Sequence, residues 1–360
     1  MYFPQVNFST SPIAHTATAE KNPAFNLRCL VPPRWPSRLI PMVDDEPDPL
    51  ASGRCVTVLH DVHGRPQGKV FTIGAAGSVE KHTADHAGDY HAQTVFVAGL
   101  PALAELIAGL SADSVLILGC IPDAGFDPYR IEPQGTLRRR LGLPRDVRPS
   151  GVHTIGDVRY AARLKENFIS SRYLLIDRDP DGAPPEVASL SESGYIGLID
   201  RAWPGIAAAE RIVFASSSGR VTYPDGRAAL TLGASSHTYV EMAGDAWRDW
   251  DDLRVRMEAA GSAAGLGYTV TGKAGASLKR WPWDTSVFTA GREVFESAPA
   301  VGLGLLLLPR SWNHTPGEIC PPPPALCAAS VAALEKDTGA KVRNGRSVAV
   351  DTTGALTLST

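Results

Sequence analysis

Apolar and polar positions change over in short blocks along this chain, and long helical periodicity is rare. Cys55–His60 (CVTVLH) reads as a first strand. Pro101–Leu110 (PALAELIAGL) carries its apolar residues at helical spacing, and Ser114–Gly119 (SVLILG) reads as the strand after it. Tyr173–Asp179 (YLLIDRD) is an apolar run ending in charge, which predicts a buried strand emerging at its C-terminal end. Arg211–Ser216 (RIVFAS) predicts a second strand of that kind, and Ala228–Leu232 and His237–Met242 (HTYVEM) predict two more. Asp249–Ala260 predicts a helix with Leu253, Met257 and Ala260 on one face. Tyr268–Val270 and Val301–Leu308 predict further extended segments. Residues 1–50 are Pro-rich and irregular, which predicts an arm. Trp312–Pro324, with its run Pro321–Pro324, predicts a linker before a short helical patch at Ala325–Leu334. Strands mixed with helices but not regularly alternating predict an α+β fold, and no solenoid-length repeat is present.

Composition narrows this picture. The 360 residues are 44% hydrophobic and 20% charged, as in globular proteins, and disorder is excluded. The 34 glycines and 29 prolines imply many turns and no long helical bundle. Five cysteines without CxxC spacing imply reduced thiols rather than a disulfide scaffold. The N-terminus lacks the basic and apolar regions of a signal peptide, and no apolar run reaches the roughly 20 residues of a membrane span. A soluble cytoplasmic protein is expected. A net charge of −3 excludes a globally basic nucleic-acid coat. It leaves room for a local basic groove, because nine basic residues face three acidic ones between Gly135 and Arg172.

The strongest chemical signal is Asp177-Arg178-Asp179-Pro180. Strand alternation points Asp177 and Asp179 the same way and Arg178 the other way, toward the surface or template side. Two such carboxylates repel each other unless a cation lies between them, and hard divalent ions favour oxygen ligands. Pro180 ends the strand. Taken alone, the motif reads first as a solvated strand end with a turn. Three features add weight. Ser216, Ser217, Ser218 and Gly219 follow an apolar strand and offer hydroxyls and backbone N–H groups to a phosphate. Ser235-Ser236-His237 opens another strand. Leu278-Lys279-Arg280-Trp281-Pro282-Trp283-Asp284 then brings a third carboxylate near basic residues, with Arg292 beyond it.

The order DxD, Ser-x-His on a strand, then a lone Asp resembles the archaeo-eukaryotic primase superfamily, most closely the primase-polymerases of phages, plasmids and integrated elements. YLLIDRDP matches the first motif, Ser235 and His237 the second, and LKRWPWD the third; the resemblance is most specific over Tyr173–Arg310. The chain departs from the family in the insertion VTYPDGRAALTLGA and in Pro282 ahead of Asp284. The resemblance implies a primase-like catalytic domain over 51–310. It would comprise an N-terminal α/β lobe (51–172) and an RRM-like module with a mixed or antiparallel sheet (173–310), followed by a linker and tail at 311–360. It implies template-directed nucleotidyl transfer, with Asp177, Asp179 and Asp284 holding two Mg²⁺ or Mn²⁺ ions. Ser235, Ser236, His237, Ser218, Lys279, Arg280 and Arg292 would bind the nucleoside triphosphate. The basic segment, through Arg138, Arg139, Arg140, Arg159 and Arg163, would line a channel for single-stranded DNA, or form an ordinary solvated face. A helicase, as a further domain or separate protein, is an open partner of the resemblance; no membrane partner is implied.

Zinc is not expected. His82, His86 and His91 lie near Asp85 and Asp89, but around Gly88 the segment reads as a solvated loop; His314, Cys320 and Cys327 are interrupted by four prolines. Trp281 and Trp283 read as packing around the third motif rather than as a base platform. The same acidic residues would also suit a metal-dependent nuclease or phosphohydrolase, and the chain could be a non-catalytic replication-initiation module that binds DNA.

Overall fold

Two sheets organise the chain, each built on apolar runs that must be covered. The computed structural model describes residues 48–339, 341–343, 346–350 and 356–358, apart from 76, 84–87, 181, 217–219, 230–234 and 272–274. The described residues belong to one unit, Met42–Thr360. Most of the arm expected over residues 1–50 lies outside the described residues.

The first half holds β1 (Cys55–Asp61), β2 (Lys69–Ile73), β3 (Val79–Thr83), β4 (Tyr90–Phe96), α1 (Leu100–Ala108), β5 (Ser114–Ile117), β6 (Gly119–Cys120), β7 (Tyr129–Glu132), α2 (Gln134–Arg140), β8 (Val152–Ile155), β9 (Val158–Ala162) and β10 (Ile169–Ser170). The second half holds β11 (Tyr173–Arg178), α3 (Pro185–Ala188), α4 (Glu192–Asp200), β12 (Arg211–Ala215), β13 (Val221–Thr222), β14 (Ser236–Glu241), α5 (Trp250–Ala263), β15 (Tyr268–Thr271), β16 (Ser277–Arg280), β17 (Glu293–Val294), β18 (Ala300–Val301), β19 (Leu306–Leu307), β20 (Trp312–Thr315) and α6 (Ala328–Thr338). The fold is α+β. Among the described residues no helix is long and apolar enough to cross a membrane.

A seven-stranded sheet runs in the order β17-β5-β1-β4-β7-β9-β8. Its inner strands β1 and β5 are buried almost throughout, which is why they read as continuous apolar runs. α1 starts with Pro101 in its first turn and buries Leu100, Leu103, Ala104 and Ile107, the i, i+3, i+4, i+7 stripe of an amphipathic helix. Each large apolar side chain buried there contributes about 1.5–3 kcal/mol.

The second sheet is four-stranded and antiparallel, in the order β11-β14-β12-β20. Its third strand in sequence, β14, lies between the first two. α3 and α4 connect β11 to β12, and α5 follows β14. The two faces of this sheet have different neighbours. On one, the Arg178 guanidinium stacks 4.7 Å from the ring of Tyr195 on α4. On the other, the Tyr173 hydroxyl donates to the Val97 carbonyl of the first half at 2.7 Å.

Three expectations are corrected. Val301–Leu308 is not one strand: Gly304 takes a left-handed φ of +83° and splits it into β18 and β19. The halves are not sequential lobes, because β17 completes the first sheet against β5 and β18 runs parallel to β2. Nor is the stretch after residue 310 a linker. β20 pairs with β12, the Trp203 indole N–H donates to the Pro321 carbonyl at 2.7 Å, and α6 packs on α5. Of the strand expected over Ala228–Leu232, only Ala228 and Ala229 are described, and Ala228 makes a single bridge to Thr222.

α5 is capped by Asp249, whose carboxylate accepts from the N–H groups of Asp251 and Asp252 at 3.1 and 3.0 Å. Its Gly261 lies against two indoles, and a Cβ there would come within 2.5 Å of Trp281 Cδ1 and 3.0 Å of Trp283 Cζ2. Gly261→Ala would gain about 1 kcal/mol in helix propensity. Overpacking a rigid buried ring costs about 1–3 kcal/mol, so packing should win. Gly261→Ala is expected to lower the urea unfolding free energy and perturb tryptophan emission; a more stable variant would refute this close approach.

Candidate active site

The first carboxylate is placed by the strand register. Asp177 on β11 stands directly opposite His237 on β14, and Arg178 opposite Ser236. With side chains alternating in period two, Asp177, Asp179, His237, Ser235 and Tyr239 share one face, while Arg178 and Ser236 share the other. The row continues across the sheet, since His237 is opposite Phe214 and Phe214 opposite Trp312. Asp179 is exposed just past the end of β11.

The third carboxylate is brought in by main chain. The Asp284 N–H donates to the Asp177 carbonyl at 3.0 Å. The segment before it is pinned at several points. Trp281 and Trp283 are buried, the Tyr195 hydroxyl donates to the Pro282 carbonyl at 3.0 Å, and the Tyr268 hydroxyl donates to the Trp281 carbonyl at 3.2 Å. The tryptophans therefore pack around the third motif, as the sequence suggested. Asp284 also caps the short 3₁₀ turn Thr285–Val287, accepting from the Ser286 N–H and hydroxyl, both at 2.8 Å.

Charge is unevenly distributed here. Burial pushes the Asp177 carboxyl up; His237 pulls it back, and the negative charges of Asp284, Asp179 and Glu296 add to the rise. The three predicted aspartates therefore meet in one electrostatic neighbourhood. Among the described residues no three His, Cys, Asp or Glu side chains stand close enough to form a ready metal cage.

His237 sits between two carboxylates. Its Nδ1 lies 2.6 Å from Glu296 Oε1 and its Nε2 3.5 Å from Asp177 Oδ1. Burial acts to lower the imidazole pKa, but the charge and hydrogen bond of Glu296, with Asp177 behind, raise it above its usual value. Glu296, 2% exposed, also accepts from the Tyr239 hydroxyl and pairs with Arg310. Burial alone would raise its carboxyl, yet His237 and Arg310 hold it well below the usual carboxylate range.

The other expected nucleotide ligands divide. Ser235 is on the His237 face, and its carbonyl accepts from the Ser216 N–H at 3.1 Å. Ser236 is on the far face, so strand alternation removes it from the site. Ser218 lies outside the described residues. Lys279 is drawn to Asp337 of α6 at 3.2 Å. Arg280 is exposed beside Tyr268, which also senses Asp179. Arg292 is exposed. Arg178 is no surface residue: it is 3% exposed and donates to the Leu190 carbonyl at 2.6 Å.

The proposed DNA contacts belong to α2, β9 and their flanks in the first sheet. Arg140 is bidentate to Glu132 at 2.7 and 3.2 Å, Arg159 pairs with Asp127 at 3.1 Å, and Arg163 pairs with Glu293 at 2.6 Å. Arg138 donates to the Arg145 carbonyl at 2.5 Å, and Arg139 is exposed. Acidic partners thus neutralise much of the excess seen in sequence. His82 and His91 lie on separate strands, and Asp85 and His86 are outside the described residues. His314 pairs with Glu210 at 2.8 Å, Cys320 is buried, and Cys327 caps α6.

Sequence reading missed Glu296, Arg310, Arg220 and Lys69. Lys69 of β2 donates to Ser216 Oγ at 3.4 Å; burial and Lys81 lower its pKa, while Asp177, Glu296 and Asp179 oppose them. Burial and Arg310 lower the Arg220 pKa, against Glu296. The available signal was a lone acid inside the weakly polar run SAPAVGLG and its leader VFE; nothing marked Lys69.

The His237–Glu296 pair fixes a pH dependence. Glu296, depressed in the fold, contributes stability that is complete above about pH 4.3 and lost as pH falls through its folded value. His237, raised in the fold, contributes stability that is complete below about pH 6.5 and lost as pH rises through its folded value. Urea melts between about pH 6 and pH 9 should show a decline in wild type that is blunted in His237→Ala; parallel profiles would refute it. Comparison of the chain with protein-family models, with curated proteins and with solved structures finds no match.

Proposed function

We propose that this chain is a primase-polymerase of the archaeo-eukaryotic type, transferring nucleotides to a primer 3′-hydroxyl under direction of a single-stranded DNA template. The observation carrying this reading is the main-chain bond that ties Asp284 to Asp177, with Asp179 two residues on and His237 opposite Asp177 on the next strand, which joins three motifs far apart in sequence. The strand-helix-strand-strand-helix run, with β14 between β11 and β12, supports the RRM-like module that the resemblance implies.

The donor set suits hard divalent cations: oxygen ligands only, with an Asp177 carboxyl pushed up by burial and by neighbouring negative charge that a cation would relieve. Asp177, Asp179 and Asp284 would hold two Mg²⁺ or Mn²⁺ ions. When bound, these supply activation of the attacking hydroxyl and stabilisation of the leaving pyrophosphate. Asp284 keeps free lone pairs on both oxygens for this while it caps the turn. His237 presents Nε2 beside Asp177, and Ser235 opens the same face. Lys69 and Arg220 add cationic charge near the site that suits a polyphosphate tail. The chain's part in catalysis is therefore positioning and charge stabilisation.

A nuclease reading uses the same carboxylates but gives His237 and the surrounding cations no task. Primer synthesis and extension on single-stranded DNA with Mg²⁺ or Mn²⁺ tests the proposal. The double variant Asp177→Ala, Asp179→Ala is expected to lose at least about 10²–10³-fold in rate, the scale of removing one preorganised transition-state contact. Its thermal stability should hold or rise, because the burial cost of the Asp177 charge and its repulsion from the neighbouring acids are relieved. Undiminished synthesis by the double variant would overturn the reading.

A further inference from the structure

We infer that Glu296 is a positioning residue, which fixes the His237 ring with Nδ1–H donated to it and Nε2 aimed toward Asp177 and the carboxylate site, and that it takes no part as a metal ligand. This rests on the polymerase reading only in assigning His237 to the nucleotide.

The inference begins with saturation. Glu296 Oε1 takes the His237 Nδ1–H at 2.6 Å and the Tyr239 hydroxyl, and Oε2 takes Arg310, which also reaches the Glu296 carbonyl. A carboxylate 2% exposed with both oxygens engaged has no open side for an ion.

Orientation follows from donor chemistry. An ionised carboxylate only accepts, so Nδ1 must carry a proton. Nε2 then faces Asp177 Oδ1 at 3.5 Å, so the ring is turned toward the carboxylate site. Arg310 holds Glu296 in turn, its guanidinium lying 4.4 Å over the buried Phe214 ring and its side chain 7% exposed. Phe214 is opposite His237 in the ladder, so ring, base and acid are braced on one sheet face.

Two readouts on the whole chain test this. Nitrogen-15 NMR should show a hydrogen-bonded proton on His237 Nδ1 in wild type that is lost in Glu296→Ala. In primer extension, Glu296→Gln should raise the KM for Mg²⁺·dATP about 10–100-fold, the usual cost of removing an outer partner of a binding histidine, with a smaller change in kcat. In a His237→Ala background the same change should add nothing; a merely structural role would cost the same in both backgrounds. If Glu296→Gln does not fold, Tyr239→Phe removes one donor, keeps the charge and should show the same dependence on His237 with a smaller shift. An unprotonated Nδ1 in wild type, or equal effects in both backgrounds, overturns the inference. A wild type that neither binds Mg²⁺·dATP nor extends primers removes the polymerase reading alone, and the NMR result still decides the role of Glu296.

Discussion

One main-chain hydrogen bond sets the rest of the site. The Asp284 N–H reaches the Asp177 carbonyl at the end of β11, and through it the third acidic motif is tied to the first. A side-chain contact between like charges could not do this, because the carboxylates repel. The backbone bond holds them near each other at a cost that the packing of Trp281 and Trp283 against α5 offsets. The acids are thus kept together by the fold, and burial together with the neighbouring negative charges pushes the Asp177 carboxyl up.

A second balance lies one strand over. Glu296 is deeply buried, and a buried charge of that kind is tolerated only when fully paired and hydrogen-bonded. Its partners come from β14 and from the segment after β19, so the pairing also joins parts of the chain that neither sheet connects by itself. Removing His237 or Arg310 would leave Glu296 short of a counter-charge, and removing the Tyr239 hydroxyl would leave it short of a donor. The histidine, the tyrosine and the arginine are best regarded as a single unit.

Much of this was legible in the sequence, for identifiable reasons. YLLIDRDP signalled its strand because the run is buried and terminated by proline, and the register then put Asp177 and His237 opposite each other. The helix at α1 was legible from its stripe. Ser236 was misjudged because Ser-Ser-His offers two serines and only strand alternation selects between them. Arg178 was correctly assigned to the opposite face, but burial against Tyr195 cannot be read from an isolated charge between two aspartates. The excess of arginines over 135–172 looked like a nucleic-acid groove because its neutralising partners, Glu132, Asp127 and Glu293, lie outside that window. Lys69 left no local pattern and Glu296 only a lone acid in a weakly polar run, since their roles come from contacts distant in sequence.

The return of β17 and β18 to the first half has a consequence for how this chain matures. The sheet built on β1, β4 and β5 lacks an edge strand until residues 293–294 arrive, and β2 lacks its parallel neighbour until residues 300–301 arrive. During synthesis at roughly 5–20 residues per second, the nascent first half stays unfinished for many seconds, with a bare strand edge exposed to pairing with other chains. Folding dominated by such non-local closure is slow. Truncation before residue 301 should therefore not release a self-sufficient N-terminal piece.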